Sequence, residues 1–122
     1  PVIISFDFDD TLAVYETIGM QEVFLCCKPI YVDLVKEYHA LGCECIILTA
    51  RTEKEFNEIE IRRFIENHDP PIKKIIYTNH LPKGIYAYEN SVKMHYDDDN
   101  YQLDSVKEYG VVAVSSIENK IV

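Results

Sequence analysis

The chain has 122 residues, 48% of them apolar and 27% charged, and a formal net charge of −9 from 12 basic and 21 acidic residues. These values predict one globular domain over residues 1–122, long enough to bury a core without disulfide staples. No apolar run reaches the roughly 20 residues of a membrane span, and the acidic balance disfavours broad binding to nucleic acid or acidic membrane, which needs a basic surface.

Val2–Phe8 is the first predicted strand, rich in Val, Ile and Phe. It runs directly into Asp7, Asp9, Asp10 and Thr11. Alternation places Asp7 and Asp9 on one side of the chain and Phe6 and Phe8 on the other. Pro29–Leu41 repeats apolar residues at helical spacing (Ile30, Leu34, Tyr38, Leu41), with Pro29 suited to a first helical position and Gly42 to the stop. Cys45–Thr49 is the second strand. Thr52-Glu53-Lys54-Glu55 reads as a capping box for a helix that ends near Asn67, before Pro70-Pro71. Lys74–Thr78 is the third strand, Leu81–Asn90 a short helix at best, and Val92–Tyr96 the fourth strand, leading into Asp97-Asp98-Asp99. Asn100–Tyr109 is helical and closed by Gly110, and Val111–Val114 is the fifth strand.

Short apolar strands alternating with helices predict an α/β, three-layer, Rossmann-like fold: a parallel sheet of about five strands with helices on both faces. The four cysteines form Cys26-Cys27 and Cys43-Glu44-Cys45, spacings that suit neither a zinc pair nor a local disulfide. Reduced thiols and a cytoplasmic location are expected from that reading, and no basic-then-apolar leader reads as a secretion signal.

Ligands of open parallel sheets bind at the carboxyl ends of the strands. Strand one delivers Asp7, Asp9 and Asp10 there. Strand two delivers Thr49 and Arg51, strand three Thr78, Asn79, His80 and Lys83, and strand four Asp97 to Asp99. Acid, hydroxyl, base and acid at one edge suit phosphoryl transfer onto a carboxylate. Carboxylates repel a phosphate unless a cation lies between them, and Mg2+ suits an oxygen-only site. A hydroxyl and an ammonium would hold the equatorial oxygens, and a second carboxyl would move protons.

Three segments resemble motifs of the haloacid dehalogenase superfamily, in the family's order and over essentially the whole chain. "DFDDTL" (Asp7 to Leu12) is similar to its first motif, "ILTAR" (Ile47 to Arg51) to its second and "HYDDD" (His95 to Asp99) to its fourth. The resemblance implies that Asp7 is the nucleophile and a metal ligand. Asp9 becomes the general acid/base with its carbonyl on the metal, and Thr49 holds phosphoryl oxygens. Asp98 completes the metal site, with Asp97 a ligand through water or an orienting partner. Asp10 falls where many members carry Gly. The family's lysine is weakly marked in sequence, and position selects Lys83, because Lys73, Lys74 and Lys93 fall at the opposite edge.

No insertion is long enough for a cap domain, so the resemblance is to a capless phosphatase-type member with a hairpin flap in Val14–Cys27. It looks loosely like the polynucleotide kinase/phosphatase and nucleotidase branches. The implied function is Mg2+-dependent phosphomonoester hydrolysis through an aspartyl phosphate, with nucleotide or polynucleotide phosphate ends as candidate substrates. An open site implies a macromolecular phosphate or a covering partner copy, hence a homo-oligomer. The net charge does not support stable nucleic-acid binding, so the substrate class stays open. Arg51 either contacts substrate phosphate or pairs with Glu53 or Glu55. His80 reads as a loop residue within reach of substrate, and His95 as structural. A catalytically idle phosphate- and metal-binding module is an alternative, but it would not need Asp9. A receiver-type signalling domain is another, but it would place its acceptor Asp after the third strand and have no late Asp cluster.

Overall fold

The computed structural model describes residues 1–122. In chain order it contains β1 (Ile3–Phe6), β2 (Ala13–Ile18), β3 (Gln21–Cys27), α1 (Pro29–Ala40), β4 (Glu44–Thr49) and α2 (Glu55–His68). These are followed by β5 (Ile72–Tyr77), α3 (Gly84–Glu89), β6 (Val92–Asp97), α4 (Asn100–Glu108), β7 (Val112–Ser115) and β8 (Lys120–Ile121). The central sheet has six strands in the order β5-β4-β1-β6-β7-β8. Its pairs are parallel except β7–β8, which is antiparallel. The sequence predicts about five parallel strands; β8 is the addition, two residues long and without an apolar run to announce it. The strands β2 and β3 form a separate antiparallel hairpin, where a flap is expected.

Burial on both faces explains why the strands read as unbroken apolar runs. In β4, Cys45 and Ile47 join one core with Ile4, Phe6, Phe8, Val32, Val35, Ile61 and Phe64. Ile46 and Leu48 point the other way, into a core with Ala87, Leu103 and Val106. Helices α1 and α2 thus cover one face and α3 and α4 the other. Each fully buried Leu or Ile in these layers contributes about 1.5–3 kcal/mol.

The predicted capping box at Thr52 does not form. Helix α2 starts at Glu55 after Lys54, which has no side-chain cap. Asn57 Nδ2 instead donates to the Thr52 carbonyl (2.8 Å) and hydroxyl (3.1 Å), holding this segment extended ahead of the helix. At the other end Asp69 adopts φ 56° and Pro70-Pro71 follow, so α2 stops there.

The chain builds outward from β1 through β4 to β5, then crosses back to place β6 on the other side of β1. The order therefore reverses at β1, where open α/β sheets bind ligands. That crossing runs through Lys83 and the short helix α3. Gly84 lies so close to α4 that a Cβ there would collide with the Ser105 carbonyl oxygen. Its N–H donates to Ser105 Oγ at 2.9 Å. No helix is long and apolar enough to cross a membrane.

Candidate active site

Asp7 is the first residue beyond β1, yet its N–H still donates to the Tyr96 carbonyl of β6 (2.9 Å). That bond keeps Asp7 level with the end of β6, where Asp97 stands. The chain then turns tightly: the Phe8 carbonyl accepts from the N–H groups of Thr11, Leu12 and Ala13. Asp10 takes φ 63° in this turn, the left-handed region that glycine enters without cost. Its carbonyl accepts from Lys28 Nζ at 2.6 Å.

Lys83 is 1% exposed, and its ammonium lies between two carboxylates. Nζ donates to Asp7 Oδ1 at 2.8 Å and to Asp97 Oδ2 at 2.6 Å. The Lys83 backbone N–H donates to Gln102 Oε1 (2.8 Å), which ties this residue to α4 as well. Behind Asp97 the polar chain continues. His95 Nε2 lies 2.7 Å from Asp97 Oδ2, and His95 Nδ1 lies 2.7 Å from Ser5 Oγ. Nε2–H donating to the carboxylate leaves Nδ1 to accept from the serine hydroxyl. Asp97 Oδ1 accepts from the Asp99 N–H at 3.0 Å. Three donors thus hold Asp97. On the opposite side Thr11 Oγ1 donates to Asp7 Oδ2 at 3.5 Å and lies 3.1 Å from Ser116 Oγ.

The carboxyls differ sharply in electrostatic state. Burial pushes Asp7 well above the ordinary carboxyl range, against the pull of Lys83. Burial also raises Asp98. Asp97 goes the other way: burial opposes ionisation, but hydrogen bonding from His95 and the charge of Lys83 outweigh it and hold the acid low. Burial opposes the charge on Lys83 too, and Asp7 and Asp97 more than offset it. Burial keeps His95 neutral, with its pKa below the ordinary imidazole value.

One ammonium therefore faces three carboxylates. Oxygen atoms of Asp7, Asp97 and Asp98 lie within 4.8 Å of one another and could hold a metal ion. The surplus of carboxyl groups over the one ammonium fits a cation at this point. Because three donors already occupy Asp97, Asp7 and Asp98 are the freer ligands.

Asp9, expected on the same side of the chain as Asp7, is not part of this carboxyl cluster and is bound by Arg51 instead. Arg51 grips both its oxygens, Nε to Oδ2 at 2.9 Å and Nη2 to Oδ1 at 2.7 Å. The third guanidinium nitrogen, Nη1, donates to Glu60 Oε1 (2.6 Å) and Asn57 Oδ1 (3.1 Å). The rings of Phe8 and Tyr15 lie 5.1 Å from Arg51 Cζ. The predicted pairing of Arg51 with Glu53 or Glu55 is thus replaced by Asp9 and Glu60. Glu60 lies one turn further along α2 than Glu55, on the side facing the sheet edge. Burial opposes the guanidinium charge, but Asp9 and Glu60 fix it in place.

Thr49 is fully buried at the end of β4, and its Oγ1 accepts from the Arg51 N–H at 3.2 Å. It belongs to the Arg51 side of the site. His80 is exposed in a loop, at φ 66°. It lines a cavity of about 420 Å3 shared with Asp9 and Arg51. Sequence reasoning places Ser116 after the fifth strand at this edge, but does not identify Ser5, Asn57 or Glu60 as site neighbours. One signal was available for Ser5: Ser5 on β1 and Asp7 just beyond it, like His95 and Asp97 on β6, are two residues apart, so each pair shares a face.

No protein-family model and no curated protein sequence matches the chain. Among solved structures it is similar to a chain of the Pnkp1/Rnl/Hen1 RNA repair complex, with TM-score 0.73 and 17% identity over 94% of this chain and 42% of that one. Another structure of the Pnkp1/Rnl/Hen1 complex gives TM-score 0.73 and 15% identity over 94% and 45%. A hypothetical protein from Xanthomonas campestris gives 0.58 and 14% over 93% and 62%. The chain spans under half the length of the repair-complex chains, and at these identities the likeness is one of fold.

Proposed function

We propose that the protein is a Mg2+-dependent phosphomonoester hydrolase of the haloacid dehalogenase type, working through an aspartyl phosphate on Asp7. The observation that carries this reading is the buried Lys83 ammonium, clamped between Asp7 and Asp97 beside Asp98 where the strand order reverses. Three carboxyl groups around one ammonium leave negative charge over, which a cation would neutralise before a phosphate could approach. Mg2+ held by Asp7 and Asp98 would neutralise the approach of the phosphate dianion.

Asp7 attacks phosphorus as the bond to the leaving alcohol breaks, and Asp9 gives that oxygen a proton. Asp9 then takes a proton from water, which attacks the acyl phosphate; the bond to Asp7 breaks and inorganic phosphate leaves. Lys83 and the Thr49 hydroxyl act on the equatorial oxygens, where transition-state charge spreads. Asp9 must turn out of the Arg51 grip to reach the leaving oxygen. Likeness in fold to RNA repair chains makes nucleotide phosphates the first esters to assay. The test is phosphate release from an aryl phosphate with Mg2+: activity that is lost with chelator and in Asp7→Asn supports the reading, and no release from any phosphate ester refutes it.

A further inference from the structure

Beside Asp9, the residue that in the proposed reaction protonates the leaving oxygen, lies the cavity of about 420 Å3. Cavities that take small ligands run from about 300 to 1,000 Å3. Its wall contains Glu22 from the flap, Glu60 from α2, and the rings of Tyr15 and Phe56. Phe56 is 64% exposed, a large apolar side chain with its face open at the rim. The single Lys or Arg in the wall is Arg51, and with Asp9 turned toward the leaving oxygen Glu60 still holds it, so that Glu22 and Glu60 together outnumber it. Asp9 and Glu60 take all three of its nitrogens, and Phe8 and Tyr15 lie close to its Cζ. Glu22 is bonded on one oxygen by Thr17 Oγ1 (2.5 Å).

The cavity therefore offers more carboxylates than Lys or Arg side chains, an apolar ring, and His80 on its wall. Hydroxyl groups suit the first and a flat apolar group the second. A further phosphate would face Glu22, whose one partner is the Thr17 hydroxyl, and a Glu60 that shares its one cation, Arg51, with Asp9.

The geometry points to a leaving-group subsite for an uncharged, hydroxyl-bearing alcohol with a flat face, of which a nucleoside is the simplest biological form, and against leaving groups that carry a second phosphate. This rests on the hydrolase reading and narrows its substrate from nucleotides in general to monophosphates. A phosphate some 6 Å from an unpaired carboxylate at intermediate dielectric loses roughly tenfold in affinity.

The test compares kcat/KM for a nucleoside 3′-monophosphate with that for the 3′,5′-bisphosphate of the same nucleoside, at pH 8, low salt and saturating Mg2+. The monophosphate is favoured roughly tenfold or more, and added salt shrinks the ratio. The paired variant Glu22→Gln, Glu60→Gln brings the ratio toward one, whatever it does to the absolute rate. Phe56→Ala raises KM for the nucleotide and leaves that for glycerol phosphate unchanged. A wild-type ratio near or below one, or a ratio unmoved by the paired variant, overturns the inference. Equilibrium binding of the free nucleoside, without Mg2+, to the wild type and to Phe56→Ala reads the subsite without turnover. If the nucleoside binds the wild type, and Phe56→Ala more weakly, but no ester is hydrolysed, the hydrolase reading fails and the subsite stands; no binding, or binding unmoved by Phe56→Ala, sinks the subsite.

Discussion

Lys83 holds the two acidic clusters together. Without its ammonium, Asp97 keeps only His95 and one backbone N–H, and Asp7 loses its one charged partner. Lys83→Met should therefore cost about 3–5 kcal/mol of stability, as removing one partner of a buried ion pair does. Chemical denaturation measures this, and a loss below about 1 kcal/mol would mean that the carboxylates are solvated. Asp9→Asn should slow turnover roughly 10²–10⁴-fold while leaving Mg2+ binding intact; an unchanged rate would remove Asp9 from proton transfer. Asp10 offers a control in the same turn. With φ 63° it occupies a backbone region that costs non-glycine residues roughly 1–2 kcal/mol, so Asp10→Gly should fold at least as well and keep its activity. The places of Asp7, Asp97, Asp98 and Lys83 are legible in sequence because they follow apolar runs at one end of the sheet, whereas Asp9, expected on the side of Asp7, is held by Arg51. The Arg51–Asp9–Glu60 network is not, because it depends on how far α2 turns before Glu60 faces the sheet edge.

The elements most legible in sequence are those whose apolar pattern is set by burial on both sides. β4 is read to within one residue, since each of Cys45 to Thr49 is buried. The start of α2 is misread because a local Thr-to-Glu pattern competes with the Asn57 side chain, which claims Thr52 through a contact with no fixed sequence signature. β8 escapes because two exposed residues, Lys120 and Ile121, pair with β7 without any hydrophobic pattern. Helix α3 is short, and its placement depends on one glycine: Gly84→Ala puts a methyl group against the Ser105 carbonyl. Overpacking of this kind costs about 1–3 kcal/mol. Because Gly84 adjoins Lys83, the variant should also slow turnover, and thermal melts alongside kcat would show both. A neutral substitution would mean that α3 can move away from α4 without shifting the lysine.

For the whole molecule, cation binding and pH are linked through stability. Asp7 and Asp98 have raised pKa values in the folded chain, so their contribution to stability is present at low pH and lost as pH rises through those values. Asp97 behaves oppositely: its contribution is present above the unfolded-state pKa and disappears only as pH falls into strong acid. Mg2+ competes with the protons on Asp7 and Asp98. The rise in Tm produced by Mg2+ should therefore be larger at pH 8 than at pH 5.5, and Asp98→Asn should reduce it. An equal rise at both pH values would place the ion elsewhere. The central claim, that Asp7 carries the phosphoryl group, is tested most directly by acid-quenching the enzyme during turnover of a phosphate ester with Mg2+ and mapping its peptides. The account predicts a phosphoryl group on the peptide containing Asp7, absent from Asp7→Asn. Phosphate release by Asp7→Asn at the wild-type rate, or a phosphoryl group on another residue, would contradict it.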